Sequence, residues 1–94
     1  MNINKPSGAN EPAVRADQLP RRKPAKITAV DWQILDAAAR QRLQEFGVDE
    51  GVAIELMHSG PMGGDPLALR IGRMVVAVRR AQAAAIRVKV NEAS

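Results

Sequence analysis

A chain of 94 residues with 2% aromatic side chains and no cysteine has room for one small domain with an aliphatic core, and excludes a disulfide framework or a thiolate metal site. A domain of this size buries only about 60–70% of the surface its unfolded chain exposes, which leaves little depth for an enclosed active site. Residues 1–26 carry Lys5, Arg15, Arg21, Arg22, Lys23 and Lys26 against Glu11 and Asp17, and the rest of the chain balances eight basic against eight acidic side chains, so the leading segment holds the whole net charge of +4.

In chain order, residues 1–18 are poor in large apolar groups and rich in Pro, Gly, Asn and charge. They are predicted to form a disordered basic tail ahead of a domain over residues 19–91. No run in the tail resembles a signal peptide. The longest aliphatic string, "MVVAV", is far short of the roughly 20 residues that span a bilayer, so a soluble cytoplasmic protein is expected. "LPRRKP" is turn-like, and "AKITAVDW" contains Ile27, Thr28 and Val30, β-branched residues that predict a first strand. In "ILDAAARQRLQEFG", Leu35, Ala39, Leu43 and Phe46 recur at helical spacing. Asp36 suits the N-terminal cap of that helix and Gly47 the left-handed position beyond its end. Val52, Ile54 and Leu56 then alternate with Ala53, Glu55 and Met57, the period of a strand.

The stretch "GPMGGDPLALRIGRMVVAV" raises a choice between a phosphate cradle and a turn. A Gly72-Arg73 hairpin turn sets Ile71 opposite Met74, Leu69 opposite Val76 and Leu67 opposite Val78, and gathers nearly every large apolar residue onto one face. A phosphate loop would have to enter a helix and carry a Lys. Here the glycines enter a strand and Pro66 removes a donor. Gly60, Gly63 and Gly64 are therefore read as turning the chain, in a loop "SGPMGGDP" stiffened by its two prolines. "RRAQAAA" forms a short helical turn, and "IRVKV" a last strand. The whole predicts a mainly β fold with one α-helix, a small, partly closed SH3-like barrel of about five strands.

Chemistry is sparse. His58 is the single histidine, shares the parity of Ile54 and Leu56, and reads as a partly buried structural residue. Paired with Asp65 across the loop it offers two ligands, too few for a metal site. Asp49 and Glu50 read as a solvated turn rather than an acid–base pair. No catalytic residue, cofactor or metal site is assigned. Met57, Met62 and Val75 are apolar where the pattern turns them outward, the mark of a partner surface, although a curled sheet would also bury two of the three. The neutral folded part argues against nucleic acid, and the "RRKPAK" cluster offers at most a weak contact with an anionic membrane surface.

The succession of "RLQEFGVDEGVAIEL", "GPMGGDPLALRIGRMVVAVRR" and "AAAIRV" resembles the FeoA family of small SH3-like accessory proteins of bacterial ferrous iron uptake. The matching positions are Arg42, Leu43, Phe46, Gly47 and Gly51; Pro61, Gly63, Gly64, Asp65, Pro66 and Leu67; and Arg79, Ala85 and Ile86. They look architectural: turns, a helix end and core, with Gly72 completing the set of turn residues. The resemblance implies a non-enzymatic protein that docks on the cytoplasmic side of FeoB, a membrane GTPase carrying Fe²⁺, with a weak homo-oligomer also allowed. The alternative is a stand-alone SH3-like interaction or regulatory domain with a different cytosolic partner.

Overall fold

The computed structural model describes residues 13–91. Six strands, β1 (Val14–Arg15), β2 (Ala25–Val30), β3 (Ala53–Met62), β4 (Asp65–Ile71), β5 (Met74–Val78) and β6 (Ile86–Val90), form one sheet in the order β1-β6-β2-β3-β4-β5. Every neighbouring pair is antiparallel. Helices α1 (Ala37–Glu45) and α2 (Arg80–Ala83) and two 3₁₀ turns, Ala16–Gln18 and Trp32–Ile34, complete the described chain. β1 and β5 end the order without bonding to each other, so the sheet stays open.

The strand beyond the predicted five is β1, which sets Val14 opposite Val88 and Arg15 opposite Arg87. Ala16 and Leu19 follow it into the core, 0% and 4% exposed. Residues 14–18, which composition places in the tail, thus run from the edge strand into a 3₁₀ turn, anchored by small apolar groups too few to register as a pattern. The predicted tail over residues 1–12 lies outside the described residues.

Alternation builds the core. Ile54 and Leu56 of β3, Leu67, Leu69 and Ile71 of β4, and Ile86 and Val88 of β6 are all buried, and Ala39 and Leu43 of α1 join the same cluster. The helix is bounded as its sequence predicts. Asp36 caps its start, with the Ala39 N–H donating to Asp36 Oδ1 at 2.8 Å. At its end the Gly47 N–H donates to the Gln44 carbonyl and the Val48 N–H to the Leu43 carbonyl, both at 3.0 Å, with Gly47 at φ +87°. That is the Schellman arrangement, and Leu43 and Val48, the positions of its usual apolar contact, are both buried in the core cluster.

The β4–β5 hairpin has the predicted register at all five positions, from Ile71 opposite Met74 to Leu67 opposite Val78. Gly72 takes φ +62° and Arg73 does not have positive φ, as a turn with glycine first requires. The preceding loop is tighter than predicted. β3 runs on to Met62, and only Gly63 and Gly64 separate it from β4. Pro61 and Pro66 gave the stretch its loop-like look. They fall where the register slips between Ser59/Leu67 and Met62/Asp65, so the missing N–H groups fall at an irregularity of the ladder.

A second irregularity corrects the reading of His58. Leu56 pairs with Leu69 but His58 with Ala68, so Met57 is an extra residue in β3. Such a bulge reverses the alternation beyond it, and His58 is exposed rather than partly buried.

On β3, beside the start of β4, a Cβ on Gly60 would lie 2.5 Å from the Asp65 carbonyl oxygen and 2.9 Å from that of Pro66. Gly60→Ala should therefore cost about 1–3 kcal/mol by overpacking against backbone, and Leu69→Ala about 2–5 kcal/mol by leaving a cavity. Urea unfolding measures both. A Gly60→Ala variant as stable as the parent would show that the two arms separate freely.

Candidate functional site

The tip of the β3–β4 hairpin is held by polar contacts from distant parts of the chain. The Arg80 backbone N–H, at the start of α2, donates to Asp65 Oδ1 at 3.0 Å. Arg79 Nη1 stands 3.7 Å from Asp65 Oδ2. The Arg80 guanidinium reaches across to donate to the Asp17 carbonyl at 2.9 Å. It also lies over Gly64, where a Cβ would meet Nε and Nη2 at 3.1 Å. Asp65, Pro66 and the adjacent glycines are thus one joint between hairpin, helix and N-terminal turn. Gly47, Gly51, Gly63, Gly64 and Gly72 all have φ between +62° and +87°. Gly63 and Gly64 lead into a strand, β4, and not into a helix.

The outward apolar residues are more scattered than their sequence positions suggest. Met57 is half-buried in the bulge. Met62 is 80% and Val75 55% exposed. Met62 lies opposite Asp65 and Val75 opposite Arg70. Asp65 and Arg70 sit on opposite faces of β4 and roughly 16 Å apart along it at the rise of an extended strand, so the three residues do not form one patch. Sequence reasoning missed two others, Ile34 (65% exposed) and Met74 (46%). Ile34 precedes the helical stripe, in a 3₁₀ turn that points it outward. Met74 keeps its predicted pairing with Ile71 but sits at the hairpin end.

The polar candidates do not converge. His58 pairs with Ala68, three residues along β4 from Asp65, and the Asp65 carboxylate is engaged with α2. Asp49 Oδ1 accepts from the Glu50 N–H at 2.8 Å, inside an exposed turn that also borders an open groove of about 530 Å³ with Trp32, Gln44 and Val48. Among the described residues there is no group of three or more His, Cys, Asp or Glu that could hold a metal ion. No helix among them is long and apolar enough to cross a membrane.

Fold and site together define a small SH3-like β domain whose distinctive features are a braced hairpin and an open sheet edge. Comparison with the curated proteins gave no match. The family model described as the FeoA domain matches residues 14–90, and this chain belongs to the FeoA family. A FeoA protein from Chlorobium tepidum is 26% identical, with a TM-score of 0.71 over 82% of this chain and 70% of that one. FeoA from Stenotrophomonas maltophilia, solved with zinc and described as a procaryotic SH3 domain protein, is 28% identical, with a TM-score of 0.68 over 80% of this chain and 88% of that one. A manganese-dependent transcriptional repressor shares the fold alone, at 12% identity and a TM-score of 0.71 over 86% of this chain and 43% of its own.

The joint predicts a graded response. Asp65→Ala removes the acceptor for the Arg80 N–H and should cost about 1–2 kcal/mol. Asp65→Asn keeps an acceptor oxygen and loses only a half-exposed ion pair worth less than about 1 kcal/mol, so it should cost less. Urea unfolding, with amide exchange at Arg80, separates the two; equal losses would assign the role to charge rather than to the cap.

Proposed function

We propose that this protein is a non-enzymatic accessory component of ferrous iron uptake that docks on the cytoplasmic side of a FeoB-like membrane GTPase. The observation that carries the reading is the FeoA match across residues 14–90. The relative from Stenotrophomonas maltophilia, described as a candidate activating factor for bacterial ferrous iron transport, supports it. The contact surface includes Val75 and Met57, with Met62 at the hairpin tip as a separate point. The exposed turn Arg21–Lys23 adds a weak attraction to the anionic inner membrane surface, which salt screens.

Tagged protein recovered from membranes of its own source at moderate salt should bring down a FeoB-like GTPase. Val75→Asp, a substitution on an exposed face that should change stability by no more than about 0.5–1 kcal/mol, should abolish that recovery while leaving the unfolding midpoint near the parent's. Recovery of a cytosolic protein without any transporter would replace the reading with that of a stand-alone SH3-like adaptor.

A further inference from the structure

β5 ends the sheet, and among the described residues nothing pairs with its outer side. The two-residue turn decides which backbone groups are free there. In such a hairpin the flanking pair, Ile71 and Met74, exchanges both bonds, and bonded and non-bonded pairs alternate from that point. With the observed register, Met74, Val76 and Val78 turn their N–H and C=O groups toward β4. Val75 and Ala77 turn theirs outward. Two donors and two acceptors line the edge at the two-residue spacing an added strand uses. Apolar side chains accompany them on both faces, Val75 on one and half-exposed Met74 on the other.

Natural edges are commonly blunted by proline, lysine, a bulge or a covering segment. β5, with the sequence MVVAV, has none of the first two and a regular register. Its charges stand at its ends instead. Arg73 precedes it, exposed and without an ion pair among the described residues. Arg79 follows it, its Nη1 3.7 Å from Asp65 Oδ2 in a long ion pair that still leaves the side chain 67% exposed. This placement selects the occupant. Two β5 strands paired about a two-fold axis through Val76 would match Val75 of each copy with Ala77 of the other, but would also set Arg73 of each opposite Arg79 of the other. Like charges directly opposite destabilise a strand pair. A strand with a carboxylate at each end meets both arginines favourably.

The geometry points to β5 as a strand-addition site for an extended segment of a partner protein, β-prone over about five residues and acidic at both ends. The inference holds whichever protein carries the segment, so it is tested apart from the transporter reading. The probe is the heptapeptide acetyl-ETVTVTE-amide, with acetyl-KTVTVTK-amide as its control, titrated to about 1 mM against the full chain and followed by amide NMR. The acidic peptide should shift the Val75 and Ala77 amides and slow their exchange, and should bind at least tenfold more tightly than the lysine peptide. Ala77→Pro removes an outward N–H without touching the ladder to β4, a substitution edge strands accept, and should weaken binding at least tenfold. Arg73→Glu, in an exposed turn, should weaken it by a similar factor and carries the test if the proline variant does not fold. Equal binding of the two peptides, shifts elsewhere on the domain, or no shift at the highest concentration would overturn the proposal. So would sedimentation showing self-association that Ala77→Pro abolishes, because the occupant would then be a second copy.

Discussion

The Asp65 carboxylate connects parts of the chain that sheet pairing alone leaves apart. It caps the N-terminus of α2, 15 residues further on, and draws Arg79 to the hairpin tip. The neighbouring Arg80 carries the connection to Asp17. These contacts brace the chain where it leaves β5, just ahead of Ala83, Ala85 and Ile86, each 0% exposed in the core. The individual bonds are modest, about 1 kcal/mol each. Their effect lies in closing the path from one end of the sheet order to the other without a seventh strand.

The β4–β5 hairpin and α1 were legible in the sequence because their determinants are local. A Gly-Arg turn fixes a register by geometry, and Asp36 and Gly47 bound a helix through bonds only a few residues long. Features set by distant partners were not legible. β1 is two residues, too short for any period, and exists because β6 offers it an edge. The Met57 bulge is invisible in an alternation count, and it is the reason His58 faces solvent. The turn role of the Asp-Pro and Gly-Gly residues could be read, whereas the tie between Asp65 and Arg80 needed the fold. Likewise Met57, Met62 and Val75 could each be recognised as outward-tending, but not that the register sends Met62 and Val75 to different faces.

Fold and family carry different weights in assigning a role. The SH3-like sheet recurs in a repressor at 12% identity, so architecture alone would leave transport and transcription equally open. The FeoA match across residues 14–90 is what distinguishes them. What remains common to such a sheet is its need to manage two edges. Here one edge strand, β1, is two residues long, while the other, β5, is five residues long, apolar and flanked by arginines.

The bulge at Met57 has a consequence for how the molecule can vary. It divides β3 into a proximal half, phased to the core by Ile54 and Leu56, and a distal half phased to the hairpin tip. A length change of two residues beyond it would extend or shorten the tip while every remaining side chain kept its side. A change of one residue would turn the distal part of β3 over, while Asp65, on β4, keeps its phase with Leu67 and Leu69. The hairpin can therefore diverge between relatives in paired steps, with single steps confined to places where another irregularity restores the phase.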